Sequence, residues 1–552
     1  MILKTAPKRL AIIGFGPRGL GALEALADQV SGKRAAVKID IFDPFQWTGA
    51  GPNFNPDQSD LCILNIPVRA LDIDPPAQIA HRIAPFPEWS KTTYQPDDFP
   101  PRSDLGAYLH ARFHALCSET DGFFDMRHFQ NPVTTLSKSD DGWWVDAQGK
   151  QHGPYDEVLL TQGQPDTAPD PQLKRWMGHA TDHSLELRPA YPANALIDAA
   201  KNWAGKTVAV RGLGLSTLDV VRMLTMGLGG EFKDGVYIRS GNEPHKILPF
   251  SLDGTPPASK PATGKLDDRF SPNGQETQDF EAALSATLSQ DPADALDTIC
   301  EALIKPTARI LRECDASKTE NDVRIWLDAE CKNPGTQDAR DAVSALGGDI
   351  EMAHGRQAPS VGYVVGQLWR KWQNEIRSGV NSVQHRPETA AAIVGFDEGL
   401  KRFSYGPPVS ASEDLLALIN AGVVSLCAVD GPAVILQPDG WCLLEGEEAF
   451  SASIMVDAVL PNPDLLRVTD LLIATSVSNG NMHPIADGLG AHVLPNGQMM
   501  GSDGNPQQGF CMLGRLSLGS VIAADSLHDC FGSSTTRWAE GVVERILDRP
   551  VA

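Results

Sequence analysis

Two glycine clusters in the 552-residue chain have the types and spacing to bind phosphates. The first, Gly14-Phe15-Gly16-Pro17-Arg18-Gly19, fits G-x-G-x-x-G. In that pattern Gly14 makes a tight turn, Gly16 lets a pyrophosphate approach the backbone, and Gly19 lets the next helix pack close to its strand. The phosphates sit on free N–H groups at the helix N-terminus, at the positive end of its dipole. Asp43 lies near the spacing, roughly 20 residues past the last glycine, expected of an acid that accepts hydrogen bonds from ribose hydroxyls. The second cluster is Gly212-Leu213-Gly214-Leu215-Ser216-Thr217, with Thr217 in place of the third glycine. That replacement predicts a helix slightly further from its strand. Arg239 and Ser240 follow the apolar run Val236-Tyr237-Ile238, where the first unit has Asp43. A guanidinium beside a hydroxyl suits a 2′-phosphate, which a carboxylate would repel. A solvated strand-end arginine is the competing reading. The first site is thus expected to take FAD and the second NADPH.

The elements around each cluster support this chemistry. Leu10-Ala11-Ile12-Ile13 is a short apolar run that predicts a buried parallel strand. Pro17 suits the first turn of a helix, which Leu20, Leu23, Leu26 or Ala27, and Val30 continue at helical spacing. Residues 37–42 then read as a second strand ending at Asp43. Around the second cluster, Thr207-Val208-Ala209-Val210 predicts a strand. Leu218, Val221, Leu224 and Met226 predict the helix, and Val236-Tyr237-Ile238 the following strand.

Further segments carry a resemblance. Thr48-Gly49-Ala50-Gly51-Pro52, Leu64-Asn65-Ile66-Pro67, Pro101-Arg102-Ser103-Asp104-Leu105-Gly106-Ala107-Tyr108-Leu109 and Val158-Leu159-Leu160-Thr161-Gln162-Gly163 resemble segments of the FAD/NAD(P)-binding flavoproteins with two dinucleotide-binding domains. Gln162 departs from that family's pattern. Residues Phe510 to Ser520, with Gly514 and Gly519, resemble its C-terminal return to the flavin. Members of the family include nitrosuccinate-forming aspartate N-monooxygenase and a urate hydroxylase, and the wider likeness is to ornithine and lysine N-hydroxylases. The resemblance implies FAD contacts at Gly14, Gly16, Pro17, Arg18, Gly19, Asp43, Asn65, Arg102, Gly163 and Gly514. It implies NADPH contacts at Gly212, Gly214, Ser216, Thr217, Arg239 and Ser240. No catalytic side chain is identified. Arg69 is one candidate for a substrate carboxylate.

The expected fold class is α/β, with two Rossmann-like dinucleotide-binding domains, the FAD domain discontinuous, and a helical insertion. Residues 1–190 and 457–552 are expected to form the FAD domain. Residues 191–275 and 401–456 are expected to form the NADPH domain, and 276–400 the insertion. Residues 249–275 hold Pro249, Gly254, Pro256, Pro257, Pro261, Gly264, Pro272 and Gly274, and read as a loop or linker. Within the insertion, Ser360 is a candidate N-cap. Val361, Val365, Leu368, Trp372 and Ile376 recur at helical spacing, and the Trp369/Trp372 pair reads as core. Residues 422–460 read as short strands with turns near Asp430-Gly431-Pro432 and Pro438-Asp439-Gly440. Residues 536–546 read as a structural amphipathic helix.

Composition narrows the functions. A formal charge of −23 opposes binding to nucleic acid or anionic membranes. Nine scattered cysteines without C-x-x-C suggest reduced thiols in a cytoplasm, and exclude a dithiol flavoenzyme or zinc ribbon. No apolar run approaches a membrane span, and the N-terminal apolar stretch enters a glycine motif, not a cleavage site. There is no H-E-x-x-H, and no metal is expected. The leading expectation is an NADPH-dependent flavin monooxygenase acting on a small polar substrate with O₂. Reduced flavin would trap O₂ as a C4a-(hydro)peroxide and pass one oxygen on, most readily to the nitrogen of an amino acid. A flavin reductase without oxygen insertion, a urate or purine hydroxylase, and a non-catalytic flavin-binding sensor are the alternatives.

Overall fold

The apolar run before the first glycine cluster folds as strand Lys8–Ile13, inside a six-stranded sheet. The sheet order is Gln498–Met500, Pro506–Met512, Glu157–Leu160, Lys8–Ile13, Val37–Phe42, Phe124–Phe129. All neighbours are parallel except the first pair. A computed structural model provides these coordinates and describes residues 7–31, 37–120, 124–337 and 340–547. Successive side chains of a strand point to opposite faces, and here both faces are covered. Leu10 and Ile12 join one core with Leu20, Leu23 and Leu26 of helix Pro17–Val30, Tyr108 of helix Arg102–Thr120, and Trp538 of helix Ser533–Val542. Ala11 and Ile13 join the other, with Trp143 and Val145 of an antiparallel sheet and Leu472 of helix Leu471–Ser478. Burial on both faces explains why the strand reads as a continuous apolar run.

A second sheet is wholly parallel, in the order Lys246–Phe250, Thr207–Arg211, Ile454–Asp457, Glu186–Pro189. Val208 and Val210 pack on Val220, Leu224, Leu415 and Leu418. Ala209 and Met455 pack on the opposite side with Trp176 and Trp441. The strands expected within 422–460 are present as Ala433–Gln437, Gly440–Glu445 and Glu448–Ala452, an antiparallel sheet. Two elements fall on the second sheet although they precede the boundary expected at 190. Helix Pro171–His183 brings Trp176 into this core, and strand Glu186–Pro189 pairs with Ile454–Asp457. Four residues with two charges and a terminal proline give no alternating pattern to read.

Helices Gly274–Ala286, Pro292–Glu313, Glu320–Lys332, Val361–Lys371, Gln373–Val380 and Pro387–Ser404 share a third core. Ser360 caps its helix by accepting from the Tyr363 N–H. Trp369 and Trp372 are fully buried; Trp372 stacks on Phe280 with ring centres 4.2 Å apart. Ile522, from the C-terminal return, enters this core. Asn381 holds both its backbone groups, donating to its carbonyl at 3.1 Å and accepting from its N–H at 2.8 Å. The middle of the proline-rich stretch, residues 254–261, is a largely buried strap, whereas Leu252 before it is 92% exposed. Ala258 and Lys260 donate backbone hydrogen bonds to Arg402 and Pro407, and the Ser259 carbonyl accepts from the Tyr363 hydroxyl. Buried backbone must find such partners, and here the helical layer supplies them. Among the described residues, no helix is long and apolar enough to cross a membrane.

The C-terminal helix is part of the first core and not an appendage. Trp538 is fully buried against helix Pro17–Val30. Trp538→Ala is expected to destabilise the protein by about 3–5 kcal/mol. In urea unfolding this would lower the midpoint with little change in slope. A midpoint within error of the wild type would contradict the packing.

Candidate functional site

The first glycine turn has the shape a pyrophosphate requires. Gly14 has a φ of +81°, and a Cβ there would lie 2.8 Å from the Thr161 carbonyl oxygen. Its N–H donates to the Phe42 carbonyl at 2.9 Å, which ties the turn to the end of strand Val37–Phe42. Gly16 caps helix Pro17–Val30, and no side chain accepts from the helix start. Gly16 and Gly51 face each other so closely that a Cβ on Gly51 would come 3.1 Å from the Gly16 Cα. A Cβ on Gly19 would meet the Gly14 carbonyl oxygen at 3.0 Å, so this glycine sets the helix-to-strand distance. Bare backbone, an uncapped helix N-terminus and free space for a ligand are together the fit expected for a dinucleotide phosphate.

Asp43 lies at the end of the next strand and is 3% exposed. Its carboxylate accepts from the N–H groups of Phe15 at 2.5 Å and Phe45 at 2.9 Å. Burial raises its pKa despite those two donors. Just beyond it, Pro44, Phe45, Gln46, Trp47, Gly51 and Asn55 line a cavity of about 310 Å³. Gly163 is exposed in the left-handed region, at φ +71°, after strand Glu157–Leu160. Gly514 has a φ of +107°, and its carbonyl accepts from the Ser517 N–H at 3.0 Å.

Two side chains expected on FAD are engaged elsewhere, as is the backbone carbonyl of a third residue. The Arg18 guanidinium is buried against the Asp529 carboxylate and the carbonyls of Asp529 and Ala524, so it ties helix Pro17–Val30 to the C-terminal segment. Arg102 pairs with Asp219 on the helix of the second glycine turn, and also donates to the Tyr191 hydroxyl at 3.2 Å. The Asn65 carbonyl accepts from the Lys260 ammonium. In each case a polar residue next to a glycine motif forms an internal bond between distant segments, which sequence spacing does not register. Arg69, offered as a carboxylate ligand, is shared by Asp97 and Asp267.

The second turn repeats the first. Gly212 has a φ of +115° and donates to the Phe250 carbonyl at 2.8 Å, as Gly14 does to Phe42. Gly214 is exposed and caps helix Leu215–Met223, where no side chain accepts from the first turn. Ser216 is half-buried; Thr217 is buried, with its hydroxyl unpartnered. This geometry corrects the position of Arg239. Strand Val236–Ile238 pairs antiparallel with Glu231–Lys233 in a separate hairpin. The strand beside Thr207–Arg211 is Lys246–Phe250, so the residue corresponding to Asp43 is Ser251. Arg239 is exposed and donates to the His245 carbonyl at 3.4 Å, while the Ser240 hydroxyl donates to the Leu228 carbonyl at 2.8 Å. Pro249 conceals the true strand: proline cannot donate to a ladder and is confined to edges, and this strand is the edge of its sheet.

Residues 11–165, which include the first turn and Asp43, match the family model described as FAD-NAD(P)-binding. The chain therefore carries an FAD-NAD(P)-binding segment. It is 24% identical to nitrosuccinic acid synthase of Aspergillus oryzae, across 87% of this chain and 82% of that protein. It is also 24% identical to an L-aspartate N-monooxygenase (nitrosuccinate-forming) of Streptomyces davaonensis, across 90% of this chain and 89% of that protein. Among solved structures, the reduced form of ornithine hydroxylase from Pseudomonas aeruginosa aligns with a TM-score of 0.49 and 12% identity, across 98% of this chain and 100% of that one.

Ser251 puts a hydroxyl at the ribose-reading position, where it donates to the Asp253 carboxylate at 2.8 Å. Ser251→Asp is expected to weaken NADPH relative to NADH by about tenfold or more. Arg239→Ala is expected to leave that ratio within about twofold. Affinities from titration of each nucleotide check both. The reverse pattern would return the reading to Arg239.

Proposed function

We propose that the chain is an NADPH-dependent flavoprotein monooxygenase that inserts oxygen at the nitrogen of a small amino acid, with an acidic amino acid as substrate. The observation that carries this reading is the pair of matching strand–glycine turn–helix units, on two separate sheets, in one chain. One unit would serve one dinucleotide; two serve a bound acceptor and a diffusing donor. The relatives aligned over most of the chain are named for forming nitrosuccinate or for aspartate N-oxygenation, which supports the choice of substrate.

In this reading the six-stranded sheet and its layers hold FAD, the four-stranded sheet holds NADPH, and the helical layer of residues 264–404 covers the space between. Gly14 and Gly19 let the turn and helix pack closely, Gly16 and Gly51 keep side chains away from the FAD pyrophosphate, and the N-terminus of helix Pro17–Val30 supplies donors. Asp43 reads the adenosine ribose. Gly212, Gly214, Ser216 and Ser251 do the same work for NADPH. FAD supplies the hydride acceptor and the chemistry with O₂, and the protein supplies position and dryness. The buried strap and the helical core, closed onto Ile522, exclude water from the C-terminal return.

The protein is expected to purify yellow, with one noncovalent FAD per chain. Gly16→Val would fill the gap facing Gly51 and is expected to abolish flavin binding while leaving the fold intact by circular dichroism. L-aspartate is expected to stimulate NADPH oxidation and yield a product oxygenated on nitrogen. A colourless protein that takes up no FAD would refute the reading. NADPH use that yields only peroxide or a reduced acceptor would replace it with a reductase.

A further inference from the structure

Two buried cations have no carboxylate at ion-pair distance among the described residues. Lys260, on the strap, is 9% exposed, and its ammonium donates to the Asn65 carbonyl. Arg377, on helix Gln373–Val380, is 6% exposed. Its guanidinium donates to the side chains of Asn374 at 2.8 Å and Ser526 at 3.1 Å, both neutral, and its Nε has no partner. Gln373 stands one turn earlier on the same helix, buried, with its amide nitrogen also unpartnered. The carboxylate whose charge reaches Lys260 is Asp267, and that group already pairs with Arg69, Arg370 and Lys371.

Gln373 accepts from the Tyr405 hydroxyl at 3.4 Å, two residues before the Pro407 carbonyl that accepts from the Lys260 N–H, and the Ser526 hydroxyl that Arg377 reaches lies 3.3 Å from His528. The His528 Nε2 lies 2.8 Å from the Ala70 carbonyl. Burial holds its pKa below the usual value, and the charges of Arg377 and Lys260 add to that effect. Burial, with help from Arg370 and Arg69, lowers the Lys260 ammonium to about 7. A buried charge without a counter-ion is costly. Two of them beside unpartnered donors mark a place where a ligand supplies the negative charge.

We infer that Lys260 and Arg377 bind the two carboxylates of a short dicarboxylic amino acid, with the Gln373 amide as a further donor. The inference rests on the reading of the reaction given above and extends it to particular side chains. It also explains discrimination. An amino acid with a neutral side chain leaves one cation unpaired, and a basic one sets like charges against each other.

Calorimetric titration of the purified holoenzyme tests the site. Succinate is expected to bind the wild type at least about tenfold more tightly than butyrate, which has one carboxylate fewer. Lys260→Gln and Arg377→Gln are each expected to erase that difference. In turnover, each is expected to raise the KM for L-aspartate by about tenfold to a hundredfold, with kcat changed far less. Equal binding of succinate and butyrate by the wild type would overturn the inference, whether or not the variants fold. Variants that bind succinate normally but lose FAD, or need more NADPH, would also overturn it, because they would place the cations on a nucleotide phosphate. The titration needs no oxygenated product, so it stands apart from the reading of the reaction.

Discussion

The ion pair between Arg102 and Asp219 connects the two nucleotide-binding units. Arg102 begins the helix Arg102–Thr120, which packs on the six-stranded sheet, and Asp219 lies on the helix that starts at the second glycine turn. Tyr191 completes the junction by donating to Asp219 at 2.5 Å. Arg102 also reaches the Ile63 carbonyl at 3.2 Å, just before Asn65. One guanidinium thus fixes the second helix relative to the segment that borders the cation pair. Removing one partner of a buried pair costs about 3–5 kcal/mol, because it leaves the other charge unpaired. The Asn194 amide, donating to the Asp57 carbonyl at 2.8 Å, and Cys62, buried in the core of the second sheet, join the same segments.

The charge of the chain shapes how it meets its ligands. At −23 it cannot attract polyanionic nucleotides through its overall field. It presents local donors instead: two helix N-termini, each capped by glycine so that no side chain occupies the phosphate position. The arginines beside the first turn are spent on internal carboxylates, Arg18 on Asp529 and Arg102 on Asp219. Lys260 and Arg377, by contrast, are buried with neutral hydrogen-bond partners.

Much of this was legible in the sequence wherever backbone shape dictates residue type. The glycines at positive φ, Asp43 at a strand end, the Ser360 cap and the apolar run Leu10 to Ile13 each follow from local rules. The second ribose-reading position was not legible, because Pro249 made an edge strand look like a break and the Val236–Ile238 hairpin offered a better pattern. The strap at 254–261 has a linker's composition, and the helical layer helps to bury it. Arg18 and Arg102 sit within motifs, yet their partners lie 511 and 117 residues away. Lys260 and Arg377 carried no signal at all, since what sets them apart is burial beside neutral hydrogen-bond partners, which only packing reveals.

The central claim is that electrons from NADPH place an oxygen atom on an amino nitrogen. It is tested most directly by turnover under isotopically heavy oxygen gas with L-aspartate, following NADPH consumption and the label by mass spectrometry. The account predicts heavy oxygen bound to nitrogen in the product, in proportion to the NADPH consumed. Consumption of NADPH with all the label recovered as hydrogen peroxide and the amino acid unchanged would contradict it.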